Sequence, residues 1–197
     1  LEKKEILSDI KMISSSAEHL LMILNDILDI SKVESGKAKL NLKEFNFQDL
    51  LIDIKEMSHP MILKNGNKFN LDFEDTLLDV FLDELKVRQI LINLISNSTK
   101  FTNNGEISLI ARKYLHENVE NISLKVIDNG IGISEEHLKT IFSPFVQVHS
   151  SAIVKTKGTG LGLSITKHYC KMMGGTIECE SKLDHGTTFI VTLPLKV

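Results

Sequence analysis

Val126-Ile-Asp128-Asn-Gly130-Ile-Gly132-Ile133 is the stretch on which the fold turns. An apolar, β-branched run ends in a carboxylate and passes at once into two glycines one residue apart. Such a run reads as a strand, and glycines after it permit dihedrals and close backbone approaches that other residues resist. An ionised Asp128 can only accept hydrogen bonds, which suits an exocyclic amino group such as that of adenine. A tight turn between strand and helix is the plain alternative for a lone glycine pair.

Upstream lies Asn93-Leu-Ile-Ser-Asn97-Ser-Thr-Lys100-Phe-Thr, on a helix expected to start after Asp83. Asn93, Asn97 and Lys100 share one face of it, while Val87, Ile90, Leu91, Leu94 and Ile95 form the buried one. An amide oxygen is a hard ligand suited to Mg²⁺, and an ammonium meets phosphate as a point charge. A solvated helix face carrying no ligand would show the same triplet.

Downstream, Gly158-Thr159-Gly160-Leu161-Gly162-Leu-Ser164 opens another helix, expected to run from Leu161 to Met173. Backbone N–H groups at such a start, reached through glycines, make an anion site for phosphates. A dinucleotide fold competes here, with Glu178 spaced to meet a ribose. Leu163 in place of a third glycine, and polar residues such as Lys155 and Lys157 before the loop, argue against it.

The remaining pattern frames these segments. Ala38, Leu40 and Leu42 alternate like a short strand, as do Phe69, Leu71 and Phe73. Between them Phe47, Leu50, Leu51, Ile54 and Met57 predict a helix capped by Asn46. Ile107, Leu109 and Ala111, then Ile122, Leu124 and Val126, predict neighbouring strands joined near 116–121, with further strands around Ile177 and from Phe189 to Leu193. Helices and strands without strict alternation predict an α+β fold, with helices layered on one face of a mixed sheet. The segment 143–157 lacks periodicity, as functional loops often do.

Residues Ile6, Ile10, Ile13, Ala17, Leu20, Leu24 and Ile27 alternate spacings of four and three, the seam of a helix lying along another helix. Leu21 and Leu28 widen the stripe towards that of a four-helix bundle, Asp26, Asp29, Lys32 and Glu34 lie off it, and Gly36 is a natural stop. An amphipathic arm docked on its own domain is the alternative. A net charge of −3 argues against broad nucleic-acid or anionic-membrane binding. Two cysteines, Cys170 and Cys179, fit a reducing compartment, and no apolar run approaches the roughly 20 residues of a membrane span. With Leu1 as its first residue and no signal pattern, the chain reads as a cytoplasmic piece of a longer protein, one that can include a membrane-anchored sensor.

The order and spacing of these segments, with Ile141-Phe142-Ser-Pro-Phe145 and Gly186-Thr-Thr188-Phe189, closely resemble the catalytic ATP-binding (GHKL) domain of sensor histidine kinases from about Phe45 to Leu193. In that family the asparagine helix is the N box, the stretch from Asp128 to Gly132 the G1 box, Phe142 to Phe145 the F box, and Gly158 to Gly162 the G2 box. The loop between the last two is a mobile lid. Leu24-Asn-Asp-Ile-Leu-Asp-Ile-Ser-Lys-Val-Glu-Ser-Gly36 resembles the second dimerisation helix of hybrid-type kinases. The resemblance implies a two-layer α/β sandwich of the Bergerat type over 37–197, preceded by a dimerisation helix over 1–36.

It also implies Asn97 as the Mg²⁺ ligand, Asp128 as the adenine-reading carboxylate and Lys100 as a phosphate contact. Gly158, Thr159, Gly160, Leu161 and Gly162 would wrap the phosphates of ATP, with Gly130, Gly132, Phe142, Phe145 and Thr188 completing the pocket. Asn93 stands where related ATPases carry a water-activating Glu, and an amide cannot act as that base. Val154 and Lys157 stand where hybrid-type kinases often have Arg and Gly, which leaves Lys155 as the candidate cation for the transferring phosphate. The implied partners are a histidine on the dimerisation domain of the same or a partner subunit, in a homodimer, and a response-regulator receiver domain. The acceptor motif, His-Glu or -Asp, Leu or Ile, Arg, Thr-Pro, does not occur in the chain; it is expected upstream of Leu1, with His19 and His59 not in its pattern. A hydrolysing ATPase clamp, and a nucleotide-binding module without kinase activity, are the rival functions.

Overall fold

Asn46 closes the first strand and opens the first helix in a single residue. Its backbone is extended, and its side-chain oxygen accepts from the N–H groups of Gln48 and Asp49 at 2.9 and 3.1 Å. Those are two of the donors that a helix start leaves unpaired. The structure, a computed structural model, describes residues 39–75, 79–147 and 159–196 together with Ile10, Ile13, Ser14, Ala17, Leu20, Leu21, Leu24, Ile27, Leu28 and Ser31 of the arm. It divides into two units, Leu1–Ala38 and Lys39–Val197. In the first, every described position is helical and exposed, including the apolar residues expected on the seam. Ile6, His19, Asp26, Asp29, Lys32, Glu34, Gly36 and Ala38 lie outside the described residues.

The second unit begins with β1 (Lys43–Asn46) and α1 (Phe47–Lys64), then β2 (Lys68–Phe73), β3 (Asp79–Leu82) and α2 (Glu84–Phe101). There follow β4 (Glu106–His116), β5 (Val119–Asp128), α3 (Glu135–Leu138), α4 (Gly162–Met172), β6 (Thr176–Ser181) and β7 (Thr187–Pro194). Five strands form a mixed sheet in the order β2-β4-β5-β7-β6, with β2 and β4 parallel and the other pairs antiparallel. Glu117 and Asn118 join β4 to β5 with φ of 49° and 63°, the mirror-image two-residue turn whose twist matches that of paired strands.

Alternation fixes the layers. Ile107, Leu109 and Ala111 on β4, Ile122, Leu124 and Val126 on β5, and Phe189, Val191 and Leu193 on β7 face one side and are buried. Against that side pack α1, α2 and α4, with Val87, Ile90, Leu91, Leu94 and Ile95 of α2 fully buried. At roughly 1.5–3 kcal/mol for each large aliphatic side chain taken out of water, this layer is the main source of stability. Glu178, the candidate ribose contact of a dinucleotide fold, alternates to the exposed side of β6. The result is the expected two-layer sandwich.

One expectation shifts. The short strand expected at 38–42 appears at Lys43–Asn46, because its partner β3 begins pairing only there, Lys43 opposite Leu82. Residues 39–42 have no regular structure, and Asn41 N–H donates instead to Asp83 at 2.8 Å. The helix α1 continues past Pro60 to Lys64, since Pro60 is exposed and Ile62 beyond it is buried. No helix among the described residues is long and apolar enough to cross a membrane.

Candidate nucleotide site

The helix α2 is the wall of the site, and both of its ends are fixed. At its start Asp83, itself buried, accepts from Lys86 N–H at 3.1 Å and pairs with Lys86 Nζ at 3.2 Å. At its end the carbonyls that a helix leaves unpaired are taken by two asparagines from the α1–β2 turn. Asn65 donates to Thr99 O, and the buried Asn67 donates to Thr102 O, both at 2.8 Å. Asn67 also accepts from Gly105 N–H at 2.9 Å, which ties the helix end to the start of β4.

On the half-exposed face of α2 stand Asn93, Asn97 and Lys100, as expected. Asn93 Nδ2 reaches the carbonyl of Gly162 at 3.4 Å, so the N box touches the first residue of α4. Partial burial holds Lys100 below the usual lysine range, and its Nζ lies 5.2 Å from the centre of the Phe101 ring. Lys86, on the same helix, lies over the ring of Tyr169 and joins α2 to α4 a second time.

Asp128 ends β5 and is 5% exposed. Burial pushes its carboxyl above the ordinary range; the N–H groups of Gly130 and Thr187 and the hydroxyls of Ser98 and Thr102 pull the other way. Gly130 N–H donates to Oδ1 at 3.0 Å. Both hydroxyls lie at the carboxylate and lower its pKa, though neither meets strict hydrogen-bond geometry.

The glycines of this loop answer to protein as well as to space. At Gly132, φ is 70° and a side chain would run into the Lys182 carbonyl between β6 and β7; at Gly130 it would meet the Phe101 carbonyl. Gly132→Ala is therefore expected to destabilise the domain by about 3 kcal/mol. That would lower its melting temperature by roughly 6–12 °C. Thermal melts followed by circular dichroism check this, and an unchanged midpoint would remove the packing role of Gly132.

Opposite this wall, Leu161 is buried and anchors the second glycine loop, its N–H donating to Thr159 Oγ1 at 3.1 Å. No side chain caps α4, and its first turn holds no acidic residue, so its leading N–H groups are open to an anion. Phe145 N–H donates to Gly160 O at 2.9 Å, and Lys167 lies over the Phe142 ring at 5.7 Å. These contacts lay the F box against the glycine loop. Phe142 is half-buried, whereas Phe145 is 68% exposed. Val154, Lys155, Lys157 and Gly158 lie outside the described residues, as do positions 148–153 of the expected lid.

One expected residue is misplaced. Thr188 pairs with Ile127 and lies on the sheet side opposite Asp128. Thr187 is the residue opposite Asp128 in register; it is buried, with its hydroxyl 3.0 Å from Ser181 Oγ. The parity of Phe189, Val191 and Leu193 already pointed to 187. Ser98 and Thr102, on either side of Lys100 in the same motif, are buried beside Asp128.

Residues 82–197 match the family of histidine kinase-, DNA gyrase B- and HSP90-like ATPases. The chain belongs to this family. Within it the similarity is to sensor histidine kinases. The chain is 38% identical to the autoinducer 2 sensor kinase/phosphatase LuxQ of Vibrio vulnificus, over 98% of its own length and 23% of that protein. It is 39% identical to hybrid signal transduction histidine kinase B of Dictyostelium discoideum, over 98% of the chain and 10% of the relative. It thus spans a quarter or less of the length of these relatives. Full-length ShkA, solved in complex with AMPPNP, superposes with a TM-score of 0.81 at 28% identity, covering 95% of this chain and 38% of that one. The chain is thus an ATPase-family domain similar to those of sensor kinases, and the surroundings of Asp128, α2 and the start of α4 are its candidate nucleotide site.

Proposed function

We propose that the domain binds Mg–ATP and passes the γ-phosphoryl group to a histidine on a helical dimerisation domain in two-component signalling. A single observation carries the nucleotide reading: Asp128 is buried beside Ser98 and Thr102 of α2, the helix that also bears Asn97 and Lys100, while Asn93 ties the uncapped start of α4 to the same helix. An acceptor-only carboxylate suits the base at one end. At the other, amide, ammonium and free N–H groups suit the phosphates.

Magnesium fits this donor set. The amide oxygen of the half-exposed Asn97 is a hard donor that would hold the ion, with phosphate and water oxygens completing the shell. The ion would supply charge neutralisation on the phosphates. The chain's own share is positioning: Lys100 and the N–H groups of α4 orient the phosphates, Leu161 holds the loop, and Asn93 braces it through Gly162. Histidine phosphorylation breaks the bond from the β,γ-bridging oxygen to phosphorus and forms a phosphorus–nitrogen bond, so it needs no water-activating base.

A hydrolysing clamp is the reading this disfavours, because Asn93 holds an amide already engaged with Gly162. We read residues 1–36 as one helix of the dimerisation hairpin, 37–197 as the catalytic domain, and a receiver domain as the next carrier of the phosphate. Calorimetry with ATP, with and without Mg²⁺, tests the site. Affinity is expected to rise with Mg²⁺, and Asn97→Ala to erase that rise while retaining the metal-free affinity. Sustained phosphate release by the chain alone would favour the clamp.

A further inference from the structure

The helix α2 ends in a way that α1 and α4 do not. After α1, Asn65 turns back on its own helix, its N–H donating to Ile62 O, and after α4 Met173 N–H does the same to Tyr169 O and Cys170 O. The chain leaving α2 instead runs straight on, through an extended Thr102 with φ of −120° and ψ of 132°. Carbonyls at this end are met by groups distant in the chain. The Asn65 amide donates to Thr99 O and the Asn67 amide to Thr102 O, both at 2.8 Å, and Ile131 N–H donates to Phe101 O at 3.3 Å. The two asparagines belong to a turn that is itself fastened to the sheet. Asn65 O accepts from Asn104 N–H at 3.0 Å, Asn67 Oδ1 from Gly105 N–H at 2.9 Å, and Lys68 N–H donates to Gly105 O at 2.9 Å. Asn67 is 2% exposed, with both its amide nitrogen and its oxygen engaged.

A helix end without such partners frays, because its last carbonyls have no intrahelical donors. Lys100 stands in this last turn, one residue beyond the carbonyl held by Asn65 and two before the one held by Asn67. We infer that Asn65 and Asn67 are positioning residues for phosphate binding: by clamping the end of α2 to the β2–β4 edge of the sheet, they hold the Lys100 ammonium where it meets the nucleotide phosphates. The inference rests on the nucleotide reading proposed above. Neither asparagine touches the nucleotide; each acts through Lys100. A lysine has no planar fork to fix its direction, so its aim depends on the backbone that carries it. A frayed turn would let the ammonium swing, and a charge that must be ordered at the moment of binding contributes less to affinity.

The test is a double-mutant cycle on the 197-residue chain, read by calorimetry with ATP. Lys100→Met is expected to weaken ATP binding roughly tenfold. Asn65→Ala, which leaves the backbone bonds of the turn in place, is expected to weaken it about threefold, and Asn67→Ser, which removes the buried clamp, by more. In the Lys100→Met background both asparagine changes should have no further effect, because the group they aim is gone. A purely structural role gives the same loss in either background. That additivity, or unaltered ATP affinity in Asn65→Ala at a temperature where melts show it folded, overturns the inference. Should Asn67→Ser fail to fold, Asn65→Ala completes the cycle alone. Lys100→Met without effect on ATP also overturns it, by removing the residue through which the asparagines act. Failure of the unaltered chain to bind ATP would overturn the nucleotide reading itself, a result distinct from additive losses.

Discussion

Replacing Asp128 by Asn is expected to weaken ATP binding at least about tenfold while leaving the domain folded. The change is nearly isosteric, but it turns one acceptor oxygen into a donor facing the amino group of the base. An unmatched buried polar group costs roughly 1–3 kcal/mol. About 1.4 kcal/mol corresponds to a factor of ten in affinity. The hydrogen bond from Gly130 N–H can be kept by the remaining amide oxygen, so the G1 loop need not move. Calorimetry checks the result, and unchanged affinity would mean that Asp128 does not read the base.

The same substitution carries an opposite expectation for stability. Burial raises the pKa of Asp128 in the folded domain above its unfolded value. A group shifted in that direction favours the folded state most below its unfolded pKa, and this contribution is lost as pH rises through the folded pKa. At neutral pH the ionised carboxylate is therefore a burden on the ligand-free fold. Asn, which cannot ionise, removes it. The variant should melt at or above the temperature of the unaltered protein near pH 7, with the gap closing as pH falls through the folded pKa. Losing ligand while gaining stability is the signature of a residue kept for binding.

Much of this site could be read in the sequence because local chemistry decides it. Asp83 and Asn46 start helices where a side-chain acceptor must meet free N–H groups, and both do so here. The β4–β5 hairpin follows from two strict alternations and a short polar link. The N box triplet keeps its face because helical spacing leaves no choice once Leu91, Leu94 and Ile95 are buried.

What the sequence hid depends on partners distant in the chain. The first strand starts at Lys43 and not earlier because β3, only four residues long, starts its pairing there, and Phe81 of β3 is held in turn by Leu195 O at 2.9 Å. Thr187 and Thr188 look equivalent until the register with β5 assigns them to opposite sides of the sheet. The glycines at 130 and 132 also answer to packing, since a side chain at either would meet the carbonyl of Phe101 or Lys182. Buried hydroxyls are invisible for the same reason, since nothing in Ser98 or Thr102 announces what will surround it.

The sharpest expectation is that the 197-residue chain, although competent to bind nucleotide, does not become phosphorylated on histidine. The site is assembled from residues after Phe45, so ATP should bind. No acceptor motif of the expected pattern occurs in the sequence, and among the seven histidines His19 and His59 sit in unrelated contexts. Elsewhere, His137 Nδ1 lies 2.7 Å from Oγ of Ser134, the residue that caps its short helix, and His185 Nδ1 lies 2.8 Å from the carbonyl of Leu183; both are engaged locally. Catalysis by positioning gives nothing without an imidazole delivered in line with the γ-phosphorus. Incubation with γ-labelled ATP should therefore leave no acid-labile, base-stable label, while calorimetry on the same sample records binding. Supplying a helical hairpin that bears His-Glu-Leu-Arg-Thr-Pro as a second polypeptide should produce such label on the added histidine. Label on His19 would make the arm itself the acceptor and overturn the assignment of residues 1–36. Binding without label under both conditions would point to a nucleotide-binding module that has lost transfer, with Val154 and Lys157 as the first positions to restore to Arg and Gly.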